Sequence, residues 1–192
     1  MARVAGQGFS LAALKRRPDP GLLSRPLQYI AADIYRERML CAILAQMADR
    51  QRLDPRASKA ALAFLRHDLP LHIRDMDEDL LPLLCSRALP QDRIDELIDR
   101  LRTDHALAAE DLETVCAVLQ AQGSLQAGWP ASLATFVAKD RRHLTIENAV
   151  LLPLCEARLR QRDRQSLGES MAARRGLYGG NGGQRTVSDG NV

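Results

Sequence analysis

The sequence predicts an all-α protein, folded as an up-and-down antiparallel four-helix bundle. Apolar residues make up 46% of the 192 residues but aromatic residues only 4%, and the apolar set is dominated by leucine and alanine, which form helices well. Four long segments also repeat apolar residues at three- and four-residue spacing, with helix breakers between them. Short connections between long helices make neighbours run antiparallel, which gives the up-and-down order.

Each predicted helix has a start or stop signal of its own. Asp54 places a capping side chain before Pro55 at the first helical position, and Pro90 and Pro130 open later helices in a similar way. Gly123 follows the third apolar segment and is a typical helix end. The four predicted helices cover residues 26–50, 55–87, 90–122 and 130–164.

The two ends of the chain differ from this central part in composition. Residues 1–25 mix Gly, Pro and Arg with one short apolar patch, so we expect a flexible N-terminal arm. Residues 165–192 include a Gly-Gly-Asn-Gly-Gly run and have little apolar content, so we expect a mostly disordered tail. The bundle itself is therefore assigned to residues 26–164.

Charge and hydropathy exclude several classes of partner. The 27 basic and 24 acidic residues are scattered along the chain, so no basic stripe points to nucleic acid. We find no apolar run of the roughly 18 residues that a membrane span needs, and no secretion signal, so we expect a cytoplasmic protein. The acidic run at 75–79 is interpreted mainly as a solvated helix face. The four cysteines form no CxxC motif and are expected to be buried free thiols: Cys41, Cys85, Cys116 and Cys155.

An internal repeat is the most informative feature of the sequence. Residues 72–83 align without a gap over residues 143–154, so that His72 lies over His143 and both segments end in Leu-Leu-Pro-Leu. The prolines in these segments, Pro82 and Pro153, each remove a backbone donor, which predicts matching kinks. The two halves therefore look like diverged copies of one helical hairpin.

The repeat brings candidate metal ligands to a common level of the bundle. His72, His105 and His143 would meet in the interior, and Glu147 lies one turn after His143 on the same helix face. Imidazole nitrogen together with carboxylate oxygen suits iron, zinc or manganese. His67, five residues before His72, is turned away from this face and is expected on the surface.

The same alignment shows two ligands that are missing. Met76 lies at the position equivalent to Glu147, and Ile34 lies at the position equivalent to His105. Both are apolar and cannot bind a metal ion. The sequence therefore predicts an asymmetric site with a reduced ligand set.

Across residues 26–162 the chain resembles the hemerythrin family in its bacterial HHE cation-binding form. The resemblance rests on His72 with Asp-Glu-Asp-Leu-Leu-Pro at 77–82, on the single His105, and on the segment from His143 through Glu147 to Pro153. Members of that family hold a non-haem di-iron centre with histidines from all four helices and two bridging carboxylates. They bind or respond to oxygen, nitric oxide or redox state.

Carried over residue by residue, the resemblance implies that His72, His105, His143 and Glu147 are metal ligands. Ile34, Met76 and Ala109 depart from the family pattern, so the full di-iron set is absent. Four residues near these positions are possible substitutes: Asp77, Glu110, Glu37 and Tyr35.

The resemblance implies a metal-binding protein that uses non-haem iron, mononuclear or an incomplete di-iron centre, with zinc or manganese as alternatives. The expected ligand is a small molecule such as oxygen or nitric oxide, and no catalytic residue is assigned. Two other functions stay open at this point. One is a bundle that has lost its metal and acts as an interaction or regulatory module, and the other is a metalloenzyme acting on peroxide.

Overall fold

The computed structural model describes residues 11–121 and 127–177, and this part of the chain contains helices and no strand. The all-α prediction is therefore confirmed. The breaker at Gly123 and the segments 1–10 and 178–192 lie outside the described residues. We number the helices as α1 Leu11–Lys15, α2 Pro26–Asp49, α3 55–85, α4 Ile94–Gln120, α5 129–158 and α6 Gln161–Arg174, with short 3-10 turns at Pro20–Ser24 and Pro90–Asp92.

Helices α3 and α5 are continuous but not uniform. Within α3, two π-helical turns, Phe64–Asp68 and Asp75–Leu80, separate three α-helical stretches, and within α5 one π turn, Glu147–Leu151, separates two. The α-helical stretches are Pro55–Ala63, Leu69–Arg74 and Leu81–Cys85 in α3, and Trp129–Ile146 and Leu152–Arg158 in α5.

Prolines explain where the π turns occur. Each π turn is followed by a leucine and then a proline, whose ring would clash with the carbonyl four residues earlier in a regular α-helix. The wider turn removes this clash: Leu81 N–H donates to Met76 O, and Leu152 N–H donates to Glu147 O, each across five residues. Met76 and Glu147 therefore occupy the same backbone position, and the repeat seen in the sequence is visible in the structure.

Helices α2 and α3 begin at the predicted Pro26 and Pro55, and α5 begins at Trp129, one residue before Pro130. Helix α4 begins only at Ile94, because Pro90 opens a 3-10 turn that is followed by Arg93 in the left-handed conformation. Asp54 Oδ1 accepts a hydrogen bond of 2.8 Å from Ala57 N–H ahead of α3. Trp129, at the start of α5, is buried against the core. Helix α5 contacts α2 and α4, and α3 contacts α2 and α4. Leucine side chains dominate the core between them, and each buried leucine contributes about 2 kcal/mol to stability.

The structure differs from the expected flexible ends at two places. Helix α1, within the predicted arm, buries Leu14, and Arg36 Nε donates to the Leu14 carbonyl at 3.1 Å. The predicted fourth helix ends at Arg158, and α6 then begins at Gln161, continues into the predicted tail and buries Leu167 and Met171. Two apolar residues four apart give too weak a periodic signal to predict a helix. The helix is stabilised instead by burial of these two residues against the preceding elements.

Helix α6 also changes the interpretation of the acidic run at 75–79. Asp75 is buried, not solvated, and forms ion pairs with both Arg174 and Arg175; the distance from Arg175 Nη2 to Asp75 Oδ2 is 2.6 Å. Arg174 also binds Asp79 Oδ2 at 2.7 Å. Glu78 is exposed as expected, but the expectation of a solvated face was wrong for Asp75, because its partner arginines lie about 100 residues away in the sequence.

All four cysteines are free, and three of them are buried as predicted. Cys85 is exposed, contrary to expectation, because it is the last residue of α3. None of the helices in the described ranges combines the length and apolar character needed to cross a bilayer.

Candidate metal centre

Three helices bring the predicted ligands into the bundle interior. His72 comes from α3, His105 from α4, and His143 and Glu147 from α5. All four side chains are buried, and Glu147 is 0% exposed. Buried titratable groups of this kind need partners, because an unpaired charge is costly in the interior.

Three of these residues converge on one point. The ligand atoms of His105, His143 and Glu147 all lie within 4.8 Å of one another. Glu147 Oε1 lies 3.1 Å from His143 Nε2 and 3.8 Å from His105 Nε2, and the two Nε2 atoms are 3.2 Å apart. Ligands bound tetrahedrally at about 2.0–2.2 Å are separated by roughly 3.3–3.6 Å, so the spacing fits one transition-metal ion.

His72 lies at the other oxygen of Glu147. Its Nε2 is 3.4 Å from Glu147 Oε2, and it does not belong to the group that converges on Oε1. The Glu147 carboxylate thus lies between two imidazoles on one side and a single imidazole on the other. The site therefore offers one metal position with three donor atoms, His105 Nε2, His143 Nε2 and Glu147 Oε1. A second position has two donor atoms, His72 Nε2 and Glu147 Oε2.

Unpaired buried atoms support a cation at this place. Both carboxylate oxygens of Glu147, both ring nitrogens of His72 and Nδ1 of His143 are buried without a hydrogen-bond partner. Native proteins leave few such groups, since each costs free energy unless a partner or ion is supplied. The donor set, imidazole and carboxylate, is the one that iron, zinc and manganese use.

Asp77 orients one of the imidazoles. His105 Nδ1 lies 2.8 Å from Asp77 Oδ1, so an Nδ1–H can donate to the carboxylate and leave Nε2 facing Glu147. Asp77 was a possible substitute ligand; the structure places it behind His105 instead. The five-residue spacing from His72 marks Asp77 as off the ligand face, but its contact with α4 has no signal in the sequence.

Electrostatics in the site favour ionised Glu147 and protonated His72 and His105 when no metal is present. Burial opposes ionisation, yet the charge of His72 and the nearby imidazoles of His105 and His143 hold the pKa of Glu147 well below its usual value. Burial also opposes protonation of His105, but the Asp77 carboxylate that it contacts and the nearby Glu147 raise its pKa to about 9. The pKa of His72 is raised by Glu147 in the same way, despite its burial.

The positions that depart from the repeat are apolar and buried. Ile34 is 1% exposed and Met76 0%, so neither can supply a ligand atom. Among the possible substitutes, Tyr35 is 56% exposed and Glu110 lies on the surface, so neither belongs to the site. The side chain of Ala109 lies outside the described residues. Helix α2 contributes two buried carboxyl groups nearby, Asp33, which is paired with Arg36, and Glu37.

A cavity of about 130 Å³ lies beside the histidines. His72, His105 and His143 line it together with Glu37 and Asp140, and basic residues of α4 and α5 also line it: Arg100, Lys139 and Arg142. A volume of this size suits a molecule of a few atoms and not a large substrate.

Comparison with known protein families agrees with this geometry. The family described as hemerythrin HHE cation binding domain matches residues 36–155, more than half of the chain. The chain therefore belongs to the hemerythrin HHE cation-binding domain family. The match includes the whole histidine–glutamate site and leaves out α1 and α6. A search of curated proteins found no match.

Proposed function

We propose that this protein binds a transition-metal ion, namely non-haem iron, and uses it to bind or sense oxygen, nitric oxide or redox state. The observation that carries the proposal is the convergence of His105, His143 and Glu147 donor atoms within 4.8 Å. We also propose that α2 to α5 run in the up-and-down antiparallel order that the short connections predict. Zinc or manganese would suit the same donor atoms.

The residues present would hold an ion in two unequal positions. His105 Nε2, His143 Nε2 and Glu147 Oε1 would bind the first, and His72 Nε2 with Glu147 Oε2 could provide part of a second. Iron bound there would supply redox chemistry and an open position for a small ligand.

The surrounding residues determine how this site behaves. Asp77 keeps the proton of His105 on Nδ1, away from the position of the ion. Ile34 and Met76 exclude water and add no ligand, which favours a single ion or an incomplete pair. The cavity beside the histidines gives a small molecule room to approach.

Elemental analysis tests the proposal. Chelator-treated protein reconstituted anaerobically with iron should bind about one ion per chain, and Glu147→Gln and His143→Ala should each lose most of it, because they remove converging donors. His67→Ala, which changes an exposed histidine of the same α3 helix, is the matched control and should bind as the wild type. Absence of iron, zinc and manganese from the reconstituted wild type would refute a metal site.

Buried Ile34 and Met76 favour one competing function, a metal-free bundle that acts as an interaction or regulatory module. The two possibilities differ in thermal unfolding. A metal that binds only the folded state raises the melting temperature, so chelation should lower it in a metal protein. An unchanged melting temperature with and without chelator would support the metal-free module.

A further inference from the structure

Glu37 is a buried acid that the histidine–glutamate site does not use. It lies on α2, its residue is 2% exposed, and its Oε2 atom is buried without a hydrogen-bond partner. It also lines the cavity that the three histidines line. A buried carboxyl oxygen without a hydrogen-bond partner requires a proton or a cation nearby.

Asp140 on α5 explains part of this environment. It lies within hydrogen-bonding reach of Glu37, and the Cys41 thiol donates to Asp140 Oδ2 at 2.9 Å. Two carboxyl groups can share a hydrogen bond only if one carries a proton. Burial raises the pKa of Asp140 as well, but the hydrogen bonds from Cys41 and Glu37 act in the opposite direction. Because Asp140 already accepts from a thiol, Glu37 is the group that holds the proton and Asp140 is the charged acceptor.

The charges around Glu37 agree with this assignment. Burial and then the neighbouring charge of Asp140 raise the pKa of Glu37 well above its usual value, and Glu147 and Asp33 act in the same direction. No lysine or arginine of the described residues bonds to Glu37 or Asp140. The titratable and charged groups that face this region are Asp33 and Cys41 from α2, His72 from α3, Arg100, Asp104, His105 and Asp111 from α4, and Lys139, Arg141, Arg142, His143 and Glu147 from α5.

A second cation site at Glu37 is the less suitable alternative. Among the described residues, only His105, His143 and Glu147 bring three donor atoms within 4.8 Å of one another. Glu37 and Asp140 therefore offer two oxygens without a third convergent ligand, which is too few for a transition-metal ion. A shared proton needs only the two carboxyl groups.

Counting charges then connects the pair to the neighbouring site. Three nearby carboxylates are already paired with cations: Asp33 with Arg36, Asp104 with Arg100, and Asp111 with Lys139. With neutral imidazoles, the buried carboxylates left to balance a divalent ion are Glu147 and Asp140. A trivalent ion needs one more negative charge, and Glu37 is the buried group beside the site that can supply it by losing a proton. An uncompensated charge in this interior would cost several kcal/mol.

We propose that Glu37 and Asp140 form a carboxyl pair that holds one proton while the neighbouring site carries a divalent ion and releases it when that ion loses one electron. The Glu37 O–H bond breaks, its electron pair stays on the carboxylate, and the proton leaves through the cavity to solvent. The electron passes to an external one-electron acceptor. This inference rests on the proposed iron site, but the proton itself can be examined without metal.

Infrared spectroscopy of the metal-free protein tests the proton. At neutral pH the wild type should show the C=O stretching band of a buried, protonated carboxyl group, and Glu37→Gln should remove it. The glutamine amide can still donate to Asp140, so the fold should be retained. Glu113→Gln, an exposed acid on α4, is the control and should keep the band. Absence of the band from the wild type, or its persistence in Glu37→Gln, would overturn the assignment.

The redox link is tested by the midpoint potential of the iron-loaded protein, titrated with mediators. Release of one proton per electron predicts a fall of about 59 mV per pH unit in the wild type and in Glu113→Gln. Glu37→Gln should flatten this slope, because it has no proton to release. Equal slopes in wild type and Glu37→Gln, or a flat wild-type slope, would overturn the link while leaving the iron site intact. If elemental analysis finds no bound iron, the proposed iron site is wrong, and the redox role of the Glu37–Asp140 pair is wrong with it.

Discussion

The metal-free protein should lose stability as the pH rises from 6.5 to 9. His105, with a side chain only 6% exposed, has its pKa raised from 6.5 to about 9 by Asp77 and Glu147 against the effect of burial. A group whose pKa is raised by folding stabilises the fold fully below its unfolded value, and this contribution disappears as the pH rises through the folded value. At 1.36 kcal/mol per pH unit, the loss amounts to about 3 kcal/mol.

Urea unfolding of chelator-treated protein at several pH values measures this loss. Asp77→Asn should reduce the pH dependence between 6.5 and 9, because it removes the carboxylate behind His105. His67→Gln, an exposed histidine, should leave the dependence unchanged. Glu147 does not cancel this loss of stability, because its pKa is lowered and its contribution changes only at acidic pH, below the measured range. A free energy of unfolding that stays constant or rises over this range would refute the reasoning.

The affinity for metal should increase between pH 6.5 and 9, whereas the stability of the metal-free protein decreases. An ion at the site must displace the proton that His105 holds on Nε2, so affinity should rise by up to about tenfold per pH unit until the pH reaches 9. Competition with a coloured chelator at each pH measures the affinity. A pH-independent affinity would show that the imidazoles hold no proton in the metal-free state.

Three further predictions concern the structure around the site. Asp75→Asn should cost about 1.5–3 kcal/mol in urea unfolding, because it removes the buried carboxylate that pairs with both Arg174 and Arg175. Glu78→Gln on the same turn should cost under about 1 kcal/mol, because its carboxylate is half exposed; equal effects would contradict this. Gly168→Ala should lower the melting temperature, because the new Cβ would lie 2.1 Å from the Leu23 carbonyl oxygen. Overpacking of this kind typically costs about 1–3 kcal/mol. An unchanged melting temperature would show that α6 does not pack closely against Leu23. A thiol reagent should modify Cys85 in the native protein and reach the other three cysteines only after unfolding, and a native count above one would refute their burial.

The histidine–glutamate group could be predicted because a repeat marks it. Matching positions of two related helices must lie at matching levels of a bundle, so His143 and Glu147 were assigned to the interior without coordinates. It could not be predicted that one oxygen of Glu147 faces His72 and the other faces His105 and His143, because this depends on the side-chain rotamers of all four residues. The Glu37–Asp140 pair was also missed as a pair, since neither residue belongs to the repeat.

The sequence by itself determined the fold class, the starts of α2, α3 and α5 to within one residue, and the interior face of α3, α4 and α5. These features follow from local rules, namely periodicity of apolar residues and the backbone preferences of proline and capping residues. The tertiary structure alone decided which polar groups meet: Asp75 with the arginines of α6, Asp77 with His105, and Glu37 with Asp140. These contacts join residues far apart in the chain, and their free energies depend on burial, which single-sequence patterns do not report.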